Sequence, residues 1–229
     1  MDDKVNILIR TYPRSGTHLL SSIIHYRYGF SQQTPTFVKP IRNGEEHLKM
    51  YTEHYYWNDA WNITGKIYIL RDPIECISSQ YFRRYKPEVT SLDKQKFESN
   101  EIPMDHDHTP NFGGRECSIW NEVGAYNQML EDIQSNDLVL YYEDLLNCPE
   151  EVLVKLDSYF LNNFNLKPNP IDVQEVADIS MKWYNTEHKA MTAKPIGWQE
   201  NHKALKETIR PYVLKFINKS NHHLARYYE

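Results

Sequence analysis

Three short apolar runs, each handing over to a helical pattern, restrict this chain more than any other feature. Val5–Ile9, Ile67–Leu70 and Leu138–Tyr142 are runs of four or five β-branched, aliphatic and aromatic residues, broken only by Asn6, the length and composition of buried strands. After the first, Leu19, Leu20, Ile23, Ile24 and Tyr28 recur at helical spacing and stop at Gly29. After the second, Pro73 opens a helix marked by Ile74, Ile77, Tyr81 and Tyr85. Val152, Leu153, Leu156, Tyr159 and Phe160 mark another after the third. Parallel strands need crossover connections, so the alternation predicts an α/β fold: a single domain over residues 1–229, its mostly parallel central sheet flanked by helices.

The remaining elements are read the same way. Ile119, Trp120, Val123, Tyr126, Leu130 and Ile133 trace an amphipathic helix, and Asn169-Pro170 opens one that runs to about Tyr184. The segment around His47, "NGEEHLKM", has a helical look, and the C-terminal helical region is expected to break or bend at Pro211. Residues 86–116, with "DHDHTPNFGG" at their centre, read as a long loop or lid.

Composition narrows the function. A formal net charge of −5 argues against a general nucleic-acid binder, which carries a basic excess, though not against a locally basic pocket. Cys76, Cys117 and Cys148 form no CxxC pair and no even set, which fits reduced thiols and a cytoplasmic location better than a disulfide framework. "MDDKVNILIR" lacks the apolar core of a signal peptide, and no apolar run approaches the length of a membrane span. The chain is expected to be soluble.

The first strand-to-helix turn, "TYPRSGTHLL" at residues 11–20, gathers Pro13, Arg14, Ser15, Gly16 and Thr17. At such a turn the free N–H groups and the positive end of the helix dipole suit a phosphate. Gly16 lets the backbone approach an anion, Ser15 and Thr17 add hydroxyls, and Arg14 adds a charged fork. The alternative is a surface turn with Thr17 as a helix cap. The Walker pattern of a glycine, four residues and Gly-Lys followed by Ser or Thr is absent, so a metal-assisted ATPase or GTPase is not the natural reading.

Four segments in order carry a resemblance. "TYPRSGTHLL" resembles the 5′-phosphate loop of the PAPS-dependent sulfotransferases, commonly YPKSGTTWL or PRSGTTLL. "IYILRDPIECISSQYFR" resembles that family's 3′-phosphate segment, with Arg71 and, eight residues later, Ser79. "LVLYYEDL" resembles its strand ending in Tyr-Glu-Asp, with Tyr142 in the place of the tyrosine that approaches adenine. "KPIGWQENHKAL" is similar to a weakened form of the C-terminal closing segment, with Lys194 as its basic residue. The resemblance spans roughly residues 5 to 205 and implies a P-loop-like fold, PAPS as sulfuryl donor, PAP as product and no metal. It places Arg14, Ser15, Gly16, Thr17 and His18 on the 5′-phosphate, with Arg14 also at the bridging oxygen. His18 stands where the family has a second threonine, and Leu19 where one branch has an adenine-stacking tryptophan.

The family's base is commonly a histidine ahead of the 3′-phosphate strand, preceded by Lys and then Ser or Thr. Here "KMYTEHYYW" supplies His54, seventeen residues before Arg71, with Thr52 in place of the lysine; His47 is the competitor. A histidine titrating near neutrality suits general-base work. Tyr55, Tyr56, Trp57 and Trp61 follow and would either wall an acceptor pocket or serve packing. "DHDH" at 105–108 is no closed coordination shell, and no metal is expected. The acceptor is expected to be a small-molecule, carbohydrate or other hydroxyl-bearing partner. Two other functions fit the same fold: a nucleotide kinase-like phosphotransferase, disfavoured by the missing loop lysine, and a non-catalytic nucleotide-binding protein, which would keep Arg14, Arg71 and Ser79 without His54 chemistry.

Overall fold

In the structure, a computed structural model that describes residues 4–32, 45–53, 61–84, 119–183 and 198–228, β1 (Val5–Thr11) is buried along its whole length. As the middle strand of the sheet it is covered on both faces, and it buries Asn6, Arg10 and Thr11 beside its apolar residues. It is followed by α1 (Thr17–Tyr28), β2 (Phe30–Gln32), β3 (Glu45–Glu53), β4 (Gly65–Leu70) and α2 (Pro73–Arg84). Then come α3 (Ile119–Glu131), β5 (Leu138–Tyr141), α4 (Tyr142–Asn147), α5 (Pro149–Phe164) and α6 (Val173–Trp183). The chain closes with α7 (Trp198–Phe216), a 3-10 turn at His222–Leu224 and α8 (Ala225–Tyr228).

Two compact units contain these elements, Met1–Arg71 with Ile133–Ala193, and Asp72–Asp132 with Lys194–Glu229. The first holds the sheet, in the order β2-β3-β1-β4-β5, every pair parallel. Ile7 sits opposite Met50 of β3 and Gly65 of β4. On one sheet face Ile7, Ile9, Leu48, Met50, Ile67 and Ile69 pack in one apolar cluster with Leu20, Ile23 and Ile24 of α1 and Leu156 and Phe160 of α5. Each such side chain contributes about 1.5–3 kcal/mol by leaving water. Gly29, in the left-handed conformation at φ 77°, ends α1 and sends its N–H to the His25 carbonyl, 2.8 Å away.

The second unit is helical. Ile74, Ile77, Val123, Tyr126, Ile209 and Val213 are buried on α2, α3 and α7. Asn127 closes the end of α7, its Nδ2 donating to the Phe216 carbonyl and its Oδ1 accepting the Asn218 N–H.

Four expectations are corrected. His47 lies on β3, not in a helix; Leu48, Met50 and Thr52 are buried while His47, Lys49, Tyr51 and Glu53 are half-exposed, the period of a strand. β2 and β3 join the three strands read from apolar runs. The helix expected from Asn169-Pro170 begins at Val173, because the Asp172 carboxylate accepts the N–H groups of Gln174 and Glu175 and caps it there. Pro211 does not interrupt α7, whose Ile209 and Val213 stay buried on either side of it.

Candidate functional site

The sheet order defines where a ligand would sit. From β1 the chain passes through α1 to β2 on one side, whereas the strand after β4 lies on the other. The carboxyl ends of β1 and β4 are therefore adjacent while their connections diverge, the topological switch point at which open α/β sheets bind ligands. The loop carrying Arg14 leaves β1 at that point, and Arg71 leaves β4.

The loop is built from backbone conformations that side chains disfavour. Arg14 has φ 72° and Gly16 φ 90°, with Ser15 between them at negative φ. Left-handed residues on either side of Ser15 fold the backbone into a tight turn at the head of α1. A left-handed arginine costs about 1–3 kcal/mol and persists only where its surroundings enforce it. The Ser15 N–H closes the turn on the Tyr12 carbonyl at 3.2 Å, and Gly16 offers its carbonyl to the Leu20 N–H as the helix begins.

Gly16, not Thr17, is the N-cap of α1, and no side chain caps the helix. The expected alternative of Thr17 as a cap therefore fails; its Oγ1 lies 2.7 Å from Thr11 Oγ1 in a buried pair. The first turn of α1 has no acidic residue, so its N–H groups and dipole face no carboxylate of their own helix. Ser15 is 0 % exposed, and its Oγ has no hydrogen-bond partner among the described residues. A buried hydroxyl left so costs about 1–3 kcal/mol, which an anion accepting its proton would recover. The loop fits a phosphate.

Arg71 is bound into the same loop. Its Nη1 donates to the Arg14 carbonyl at 2.8 Å, and its guanidinium carbon lies 4.6 Å from the ring centroid of Tyr142, where α4 starts. The Tyr142 ring in turn fills the space beside Gly16: a Cβ there would lie 2.3 and 2.8 Å from two ring carbons and 3.4 Å from Ile69 Cδ1. Residues from the ends of β1, β4 and β5 thus meet in one cluster. No pattern in the sequence pairs Tyr142 with Gly16 or Thr11 with Thr17, since both contacts come from the fold. The polar Thr11 at the end of a buried strand is the one local hint.

Of the other expected residues, His18 is half-exposed in the first turn of α1, while Leu19 packs against the apolar cluster. Ser79 is half-buried on α2, in the helical unit. Asp72 in that unit accepts the Ile74 N–H at 2.8 Å, and burial pushes its carboxyl above the usual range. β3 ends at Glu53, the residue before His54. His54, Lys194, Tyr55, Tyr56, Trp57, Cys117 and the 86–116 segment with its "DHDH" lie outside the described residues. Trp61 is described, stacked on Tyr51 at 4.8 Å between centroids. Among the described residues no group of three or more His, Cys, Asp or Glu could hold a metal ion, and no helix is long and apolar enough to cross a membrane.

No protein-family model matches the sequence, and no curated protein matches it. Among solved structures the chain is similar to retinol dehydratase in complex with androsterone and the inactive cofactor PAP, at 13 % identity and a TM-score of 0.43, over 94 % of this chain and 82 % of that one. It is also similar to retinol dehydratase in a complex with retinol and PAP, at 13 % identity and a TM-score of 0.42, over 94 % and 83 %.

Proposed function

We propose that this chain is a PAPS-dependent sulfotransferase, one domain over residues 1–229, that moves a sulfuryl group from PAPS to a hydroxyl or amine of an acceptor. The observation that carries the reading is the joining of Arg14 and Arg71 at one switch-point loop of alternating hand. Two arginines in the motifs and no loop lysine suit a nucleotide with two separate phosphates bound without Mg²⁺. The four ordered sequence motifs support the same donor.

In this reading Ser15, Gly16, Thr17 and His18 hold the 5′-phosphate at the head of α1, where the orphaned Ser15 hydroxyl gains an acceptor. Arg14 neutralises the charge that grows on the bridging oxygen, an interaction stronger in the transition state than in the ground state. Arg71 and Ser79 take the 3′-phosphate on the strength of their spacing in the sequence. Tyr142 lies on the adenine side, and Lys194 supplies a further basic contact. PAPS brings the activated sulfuryl group; as its bond to the phosphate oxygen breaks, a bond from the acceptor oxygen or nitrogen forms, and the acceptor's proton passes to His54. β3 runs parallel to β1 with Glu53 opposite Arg10, so the two strands end at the same edge of the sheet. A cytoplasmic location follows from the thiol usage and belongs to the same proposal.

Incubation with radiolabelled PAPS and a panel of phenols, sugars, alcohols and amines, without Mg²⁺, tests this. Label should move to at least one class. His54→Ala should keep PAP affinity while turnover falls by about 10²–10⁴, the usual worth of a positioned base. Failure to bind PAP together with failure to transfer label would overturn the assignment.

A further inference from the structure

We infer that Arg71 is a positioning residue for the anion loop as well as a ligand of the 3′-phosphate. The inference deepens the proposed function, but its core concerns the loop alone and holds for any anion bound there.

Three observations carry it. Arg14 is held at φ 72°, a conformation that relaxes unless something restrains it. The restraint is on the carbonyl of that same residue, which accepts the Arg71 Nη1 hydrogen at 2.8 Å. The Arg71 guanidinium is itself fixed over the Tyr142 ring at 4.6 Å, and that ring abuts Gly16, the other left-handed residue of the loop. Arg71 and Tyr142 therefore grip the two positive-φ residues from outside, Arg71 through a hydrogen bond and Tyr142 through packing. One guanidinium does both at once, lying within cation–π distance of the ring while an N–H donates to the carbonyl; an ammonium lacks that planar fork. Arg71 thus couples the two phosphate positions: what fixes the guanidinium also fixes the backbone that receives the 5′-phosphate.

A residue that served only the 3′-phosphate would be indifferent to a nucleotide lacking one. Affinities for adenosine 5′-phosphate and for PAP are therefore compared in wild type, Arg71→Met, Arg71→Lys and Ser79→Ala. Arg71→Met should weaken adenosine 5′-phosphate by about three- to tenfold, the worth of one hydrogen bond at the loop, and PAP by more. Arg71→Lys should lose a similar factor for adenosine 5′-phosphate while keeping a preference for PAP, because the charge stays but the planar fork does not. Ser79→Ala should lower PAP affinity alone. Amide hydrogen exchange at Ser15 and Gly16, measured without any nucleotide, supplies a second readout: it should quicken in both Arg71 variants. Unchanged exchange in the loop together with unchanged affinity for adenosine 5′-phosphate would overturn the inference. Faster loop exchange in a protein whose wild type prefers neither nucleotide would support it while removing the PAPS assignment.

Discussion

Gly16 meets two demands at once: a φ of 90° and the absence of any atom where the Tyr142 ring lies. Alanine would violate both. The left-handed conformation costs an L-residue about 1–2 kcal/mol, and overpacking against the ring adds about 1–3 kcal/mol. Gly16→Ala should therefore lower the melting temperature by about 5–15 °C for a chain of this length and abolish nucleotide binding. Adding Tyr142→Ala should recover the packing share of the loss but not the backbone share. A Gly16→Ala protein that melts like wild type would contradict the described packing. At this scale the sequence discloses which residue types gather at the turn, since Pro, Arg, Ser, Gly and Thr are neighbours in the chain. It does not disclose that Thr17 is already paired with Thr11 or that Arg71 reaches the Arg14 carbonyl, because those partners meet only when the strands align.

Elements built from local contacts were legible, and those defined by their neighbours were not. β1, β4 and β5 announce themselves by apolar runs, and α1 and α5 by helical spacing. β3 hides: its buried Leu48, Met50 and Thr52 alternate with His47, Lys49 and Glu53, and "EEHLKM" consists of residues at home in helices. Only pairing with β1 makes it a strand. The connection between α1, α5 and the segment that follows α5 is similarly long-range. Arg27 of α1 grips Asp157 of α5 with Nε and Nη2 at 2.7 and 2.6 Å, Tyr28 donates to the same carboxylate at 2.5 Å, and Arg27 Nη1 donates to the Asn169 carbonyl at 3.1 Å. The Arg27 hydrogen bonds hold the Asp157 carboxyl below its ordinary range, while burial and that carboxylate push the Tyr28 phenol up, so it remains a donor. A carboxyl whose folded value is depressed stabilises the fold fully above the unfolded value near ~3.9 and loses that contribution as pH falls through the folded value. Asp157→Asn should thus cost about 1–2 kcal/mol at neutral pH, at the low end for a charge-assisted pair because it is partly exposed. Urea midpoints of the two proteins should converge on acidification below the unfolded value; a gap of constant size down to pH ~3 would show that Asp157 acts by packing and not by charge.

For the molecule as a whole, function follows from strand order. A sheet ordered β2-β3-β1-β4-β5 places the ends of β1 and β4 side by side with diverging connections, so Arg14 and Arg71, far apart in the chain, come together at one crevice. The claim that this crevice reads two phosphates is the centre of the account, and thermal melting with paired nucleotides tests it most directly. Adenosine 3′,5′-bisphosphate, without Mg²⁺, should raise the melting temperature clearly, and adenosine 5′-phosphate at the same concentration much less, because stabilisation follows affinity for the native state. Equal shifts with both nucleotides, or a shift that requires Mg²⁺, would contradict the account.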